Sequence, residues 1–127
     1  MERERIHFIE HRGHRILQLD FTEMNAPGEA LETFARVREI VAAQPAGSLL
    51  TLTDVTGTTY TGDVLKGLEE LAAHNKPFVR AAASVTRTPL QLIAIRASAI
   101  HTKRRLMAFD DVQAAKEWLV EQAAAPV

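Results

Sequence analysis

The sequence predicts a single α/β domain, in which a mixed, mostly parallel sheet of about five strands packs against about four helices. Short runs rich in β-branched residues alternate with longer segments of helical periodicity, in the order β-β-α-β-α-β-α-β-α. The first two runs meet at Arg12-Gly13, which reads as a hairpin turn. Strands that alternate with helices imply parallel pairing through right-handed crossovers, whereas a hairpin makes one edge of the sheet antiparallel.

Length and composition limit the class of protein. The 127 residues, taken as one domain over 1–127, are 46% apolar, which is enough for a substantial core. The chain has no cysteine, so disulfide and thiolate chemistry are excluded. Its first residues, MERERIHF, lack the apolar core of a signal peptide, and no run approaches the roughly 20 apolar residues of a spanning helix. We therefore expect a cytoplasmic protein.

Five segments have the composition of strands. The third and fourth are almost wholly apolar, small or β-branched, as expected of interior strands that are covered on both faces. The fifth is short. In chain order the predicted strands are Arg5–His11, Arg15–Phe21, Leu49–Val55, Val79–Val85 and Leu106–Phe109.

Four segments have helical character, and each carries a start signal. The first begins at Pro27, and its apolar positions Ala30, Phe34, Val37 and Val41 recur at helical spacing. The second begins near Gly62 and stops at Asn75-Lys76-Pro77. The third and fourth open with capping-box patterns, Thr88-Pro89-Leu90-Gln91 and Asp110 with Gln113.

The predicted third helix, which runs to about His101, is apolar on two sides. We expect one side to meet the sheet, and it consists of Leu90, Ile93, Ala94, Ala97 and Ile100. The other side, which we call the outer stripe, consists of Leu92, Ile95, Arg96, Ala99 and Lys103. Such a stripe needs a cover: a neighbouring element, a twin subunit, a protein partner or an acyl chain.

Charge is distributed unevenly although the net charge is only −1. No Asp or Glu lies between Leu71 and Phe109, whereas seven Lys or Arg residues do. The asymmetry indicates either ordinary solvated faces or a surface for an acidic protein, a phosphate or an anionic lipid.

The segment from Leu49 to Asp63 is the leading candidate for function, because a hydroxyl-rich loop joins an interior strand to a helix start. Thr61 falls at the expected N-cap, where its hydroxyl satisfies a free N–H group or a phosphoryl group gains the helix dipole. We take Thr61 and Thr56 as phosphorylation candidates. The remaining candidates for binding a partner are Asp54, Thr58, Thr59, Tyr60, Gly62 and Asp63.

Other chemistries lack their signatures. Gly57 and Gly62 have the spacing of a nucleotide-binding loop, but Asp63-Val64 stands where Lys-Ser/Thr is required. His7, His11 and His14 have no acidic or sulfur partner at metal-site spacing, and no nucleophile motif is present. We therefore expect no metal, no cofactor, no nucleic-acid partner and no enzymatic activity.

The loop resembles that of the STAS domain family, which includes sporulation anti-sigma-factor antagonists. Their third strand is followed by Asp-x-Ser-x-x-Asp-Ser-Ser-Gly, and an anti-sigma kinase phosphorylates the serine before the glycine. Here Asp54 takes the first Asp, Thr56 the first Ser and Thr61-Gly62 the modified Ser-Gly, whereas Thr59 and Tyr60 depart from the pattern. The resemblance implies a bacterial-type regulatory domain with an anti-sigma-kinase-like partner.

The later half is similar to the branch called SpoIIAA-like, whose members close with Phe-Asp-x-x-x-x-Ala-x-x-Trp-Leu. The matching residues are Phe109, Asp110, Ala115, Trp118 and Leu119. This branch is also likened to the lipid-binding Sec14 (CRAL-TRIO) fold, and most of its members have no settled function. The resemblance covers nearly the whole chain.

These observations lead to two functional hypotheses. The first is a non-enzymatic STAS-like regulatory module that binds a protein partner and is controlled by phosphorylation in the Thr56–Thr61 loop. The alternative is a small lipid-binding or membrane-surface domain of Sec14-like character. A homodimer that uses Leu92 and Ile95 is compatible with either.

Overall fold

A computed structural model describes residues 4–60, 62–89, 93 and 105–124. Within these residues it contains five strands, three α-helices and one short 3-10 helix at Lys76–Phe78. In chain order the main elements are β1 Ile6–His11, β2 His14–Asp20, α1 Pro27–Ala42, β3 Leu49–Asp54, α2 Gly62–Asn75, β4 Val79–Val85, β5 Leu106–Phe109 and α3 Val112–Ala124.

The strands form one sheet in the spatial order β1-β2-β3-β4-β5. β1 is antiparallel to β2, and the other neighbours are parallel, as the sequence predicts. Asp20 pairs with Asp54, Asp54 with Val85, and Val85 with Phe109. The four parallel strands therefore end at the same level, and the segments that follow them meet along one edge of the sheet.

The sheet is covered on both faces, and this explains its apolar interior strands. α1 and α2 pack on one face, where the buried side chains include Leu17, Leu19, Phe34, Val37 and Leu71. α3 packs on the other face, where the buried side chains include Ile16, Leu50, Leu52, Ala83, Ala115 and Leu119. Because successive side chains of a strand point to opposite faces, β2 and β3 contribute to both layers.

Two sequence-based details of the helices need correction. The N-cap of α3 is Asp111, not Asp110, because the Asp111 carboxylate accepts the N–H of Ala114 at 2.9 Å. Ile93, assigned to the sheet-facing side of the predicted third helix, is 65% exposed. Periodicity could not settle that point, because apolar residues lie on both sides of that segment. The outer stripe, Leu92, Ile95, Arg96, Ala99 and Lys103, lies outside the described residues.

In the part of the chain that the structure describes, none of the helices combines the length and apolar character that crossing a membrane requires.

The helix α3 contributes one fully buried leucine to its layer, so Leu119→Ala should be strongly destabilising. Leu119 is 0% exposed and contributes to the core with Leu52 and Ala115. We expect the free energy of unfolding to fall by about 2–5 kcal/mol, through lost burial and the cavity left behind. Urea denaturation measures the change. Gln113→Ala, on the exposed side of the same helix, serves as the control and should shift stability by no more than about 0.5 kcal/mol.

Candidate functional site

The hydroxyl-rich loop lies at the middle of the sheet edge where the parallel strands end. β3 ends at Asp54 between β2 and β4, and α2 begins at Gly62. The predicted passage from an interior strand through this loop into a helix is confirmed. Thr61, the predicted N-cap, lies outside the described residues.

The start of the loop is folded by its own hydrogen bonds. The Asp54 carboxylate accepts the N–H of Thr56 at 3.0 Å, and the Val55 carbonyl accepts the N–H of Thr58 at 3.2 Å. Gly57 takes a left-handed conformation with φ +76°, and a β-carbon there would lie 3.0 Å from Glu23 Cγ. Only glycine adopts this conformation without strain, so the turn depends on Gly57.

The loop is also fastened to the segment that connects β2 to α1. The Thr58 hydroxyl donates to the Phe21 carbonyl and accepts the N–H of Met24 at 2.9 Å. The Asn25 amide donates to the Gly57 carbonyl at 3.2 Å and accepts the N–H of Thr59 at 3.1 Å. We call the two fastened segments, Phe21–Asn25 and Val55–Tyr60, the carboxyl-end platform.

Thr58 has a structural role in this platform. The residue is only 4% exposed, and its hydroxyl is fully engaged with two backbone groups. Its predicted role as a residue that faces a partner therefore needs correction. The sequence offered no signal that separates Thr58 from its neighbours, because both bonds reach residues more than 30 positions away.

Several residues of the platform and of the first turn of α2 do face solvent. Gly57, Thr59, Gly62 and Asp63 are exposed, and Thr56 is half-buried. Within the described residues, the side-chain hydroxyls of Thr56 and Thr59 make no hydrogen bond. Gly62 has φ +57°, so the first residue of α2 also has a left-handed backbone.

Tyr60 is the last residue of the platform, and its side chain faces the core. Its ring packs against the core beneath α1 and α2, and its buried hydroxyl has no hydrogen-bond partner among the described residues. Burial raises the pKa of the Tyr60 phenol well above its usual range, with a counteracting effect of the Arg5 charge and a small further increase from Asp54. Tyr60 therefore offers a partner much less surface than the sequence predicts.

Sequence reasoning missed Arg5, whose side chain binds backbone carbonyls in and next to the platform. Its side chain is buried, and one guanidinium nitrogen donates to the carbonyls of Asp20 at 2.9 Å and Thr22 at 3.0 Å. The other terminal nitrogen lies 3.4 Å from the Glu29 carboxylate. Arg5 looked like one member of a charged N-terminal run, and nothing in the local pattern marked it as buried.

The described residues contain no cluster of three or more His, Asp or Glu side chains that could hold a metal ion. His7 contacts Gln18 at 3.2 Å and His11 contacts Glu117 at 3.1 Å, so both imidazoles have protein partners. Neither histidine belongs to the platform, whose polar side chains offer hydroxyl, amide and carboxylate groups.

Comparison with known proteins establishes the fold. The chain is similar to the crystal structure of an uncharacterized protein of the DUF3478 family from Shewanella loihica PV-4, which has a SpoIIAA-like fold. The TM-score is 0.73 at 16% sequence identity, and the match covers 90% of this chain and 91% of the other. No protein-family model and no curated protein matches the chain. The chain therefore has a SpoIIAA-like α/β fold, as its sequence predicts.

Replacing Thr58 with valine should destabilise the protein while replacing Thr59 should not. Thr58→Val keeps the shape but leaves the Phe21 carbonyl and the Met24 N–H buried without their partner. We expect a loss of about 1–3 kcal/mol in the free energy of unfolding. Thr59→Val, at the next position of the same loop, which is exposed, should change the free energy of unfolding by less than about 0.5 kcal/mol. Equal effects in denaturant titrations would contradict the assigned role of Thr58.

Tyr60→Phe should stabilise the protein, because the buried hydroxyl of Tyr60 has no hydrogen-bond partner in the part of the chain that the structure describes. The gain expected from removing an unpaired polar group is about 1 kcal/mol. Above the ordinary tyrosine pKa of about 10, the unfolded wild-type chain releases a proton that the folded chain retains, so wild-type stability falls as pH rises. The advantage of Tyr60→Phe should therefore widen above that pH. The chain has one tyrosine, so ultraviolet titration of the phenol reports on Tyr60 alone.

Proposed function

We propose that this protein is a non-enzymatic STAS-like module whose protein partner docks on the carboxyl-end platform. The observation that carries the proposal is that the platform combines a fixed backbone with a surface exposed to solvent. Side-chain bonds from Thr58, Asn25 and Asp54 fix its backbone, yet Gly57 and Thr59 are exposed. The SpoIIAA-like fold supports the same choice of surface through the resemblance described above.

A platform fixed in advance suits recognition. A loop that is ordered only on binding must lose conformational entropy at that moment, and this loss weakens the complex. Here the bonds between Phe21–Asn25 and Val55–Tyr60 supply the order beforehand. A partner then gains the full benefit of hydrogen bonds to the free threonine hydroxyls.

Phosphorylation is the control that we propose for this docking. Thr56 is the described phosphorylation candidate, since it is half-buried and its hydroxyl is not used by the fold. A phosphoryl group adds a charge of about −1.5 to −2. Next to Asp54 and Glu23 this charge makes the platform strongly negative, so the binding of a partner that places acidic groups against the unmodified platform is weakened. Thr61 stays a candidate outside the described residues.

A charge placed on the platform tests the docking proposal. Partners captured by the tagged wild-type protein from cells are quantified by mass spectrometry against two variants, Thr59→Asp and Ala46→Asp. Ala46 is exposed and lies before β3, at the opposite end of the sheet, so it receives the same charge away from the platform. We expect Thr59→Asp to reduce capture of a specific partner at least about tenfold, equivalent to roughly 1.4 kcal/mol, and Ala46→Asp to leave it unchanged. A partner lost equally in both variants, or in neither, contradicts the proposal.

The phosphorylation proposal has its own measurement. Peptide mapping of protein isolated from cells should place phosphate on Thr56 or Thr61 and never on Thr58, whose hydroxyl is buried. A Thr56→Ala, Thr61→Ala double variant should lose the modification. Phosphate that persists in this variant would contradict the assignment of these two sites.

The lipid-binding alternative stays a prediction. It rests on the resemblance to the SpoIIAA-like branch, on the acid-free segment between Leu71 and Phe109 and on the apolar third helix, and most of that predicted helix lies outside the described residues. Native mass spectrometry and flotation with anionic vesicles test it directly. Neither result bears on the platform proposal.

A further inference from the structure

The first strand leaves one edge of the sheet open. Among the described residues, β1 is the outermost strand and pairs only with β2. Its register with β2 runs through six consecutive pairs without a shift, from Ile6–Leu19 to His11–His14. Proteins usually protect such an edge with a bulge, a proline or inward-pointing charges, and β1 has neither a bulge nor a proline.

The register fixes which backbone groups point outward. The Asp20 N–H donates to the Arg5 carbonyl at 2.8 Å, so Arg5 and Asp20 form a hydrogen-bonded pair. Bonded and non-bonded pairs alternate along an antiparallel ladder. The N–H and C=O groups of Ile6, Phe8 and Glu10 therefore point away from β2. Within the described residues, the N–H groups of Phe8 and Glu10 have no hydrogen-bond partner, and that of Ile6 has only a long contact of 3.4 Å with Glu4.

We propose that a second copy of this chain pairs with this edge, β1 against β1 in antiparallel orientation, with Phe8 on the twofold axis. This arrangement places Phe8 opposite its own copy and Ile6 opposite Glu10. It also brings Glu4, which precedes β1, towards Arg12 in the turn that follows β1. Their side chains are 64% and 66% exposed, although each touches an oppositely charged group of its own chain. Opposite charges facing each other across two strands stabilise the pair.

The charges also disfavour the neighbouring registers. The outward backbone groups can pair in another register only when it shifts by two residues. A shift in one direction places Glu4 opposite Glu10, which brings like charges together. A shift in the other places Ile6 opposite Arg12 and Phe8 opposite Glu10. Both shifts lose the Glu4–Arg12 pairs. The proposed register also places Ile6 opposite Glu10, so its advantage is the oppositely charged pair at each end of the strand.

The resulting dimer joins the two sheets into one through about six backbone hydrogen bonds. A contact of this length falls in the class of weak interfaces, of less than about 1,200 Å², so we expect dissociation to be observable by dilution. The twofold axis turns the carboxyl ends of the two sets of parallel strands to opposite sides. Both carboxyl-end platforms stay free, so this inference stands or falls independently of the proposed function.

Glu10 provides a matched pair of variants. Its side chain is exposed and its N–H points outward, so Glu10→Pro removes one outward donor without removing a bond to β2. Glu10→Ala removes the same carboxylate and keeps the N–H. Sedimentation velocity over a dilution series should show that wild type and Glu10→Ala self-associate, and that Glu10→Pro dissociates at least about tenfold more readily. A wild-type chain that stays monomeric up to roughly millimolar concentration overturns the proposal, as does a Glu10→Pro dimer as stable as that of Glu10→Ala.

A second measurement needs no substitution and covers the case in which Glu10→Pro fails to fold. Hydrogen exchange of the wild-type chain, followed by NMR, should slow at Phe8 and Glu10 as concentration rises. Exchange at His7 and Ile9, which bond to β2, should be slow at every concentration. Exchange at Phe8 and Glu10 that is independent of concentration overturns the inference.

Discussion

Burial of the sheet on both faces is the constraint on which the rest of the structure depends. β3 lies at its centre, and its side chains Leu50 and Leu52 point into the α3 layer while Leu49 lies in the layer of α1 and α2. No polar chemistry can be placed on either face at low cost, because an unpaired polar group in such a layer is strongly unfavourable. Polar function is therefore confined to the ends and the edges of the sheet.

At the carboxyl end of the sheet, buried polar side chains avoid this cost by forming hydrogen bonds. Thr58 and Arg5 are buried, and each is used by backbone carbonyls or N–H groups that would otherwise be unsatisfied. Tyr60 differs, because its buried hydroxyl has no partner within residues 4–60, 62–89, 93 and 105–124. Its ring contributes apolar surface to the core, whereas its hydroxyl adds an unfavourable unpaired polar group.

The sequence predicted the elements well because their signals are local. The two-sided apolar runs of β3 and β4 and the helical spacing of Ala30, Phe34, Val37 and Val41 in α1 reappear as buried positions. Within the site, the sequence could locate the loop but not the role of each threonine. Thr58 and Thr59 are adjacent and chemically identical, and only contacts with the segment after β2 distinguish them. Arg5 was missed for the same reason, since its partners lie 15 or more residues away. Long-range contacts leave no periodic trace.

The carboxyl-end platform and the β1 edge differ in the kind of recognition that they permit. The platform presents side chains on a fixed backbone, so its specificity depends on which hydroxyls and carboxylates a partner meets. The β1 edge presents backbone groups, which are the same in every strand, so selectivity there depends on register and on charges such as Glu4 and Arg12. Because the platform lies at the ends of the strands and the edge lies along β1, occupying one does not block the other. The two proposed contacts are therefore sterically compatible in a single small domain.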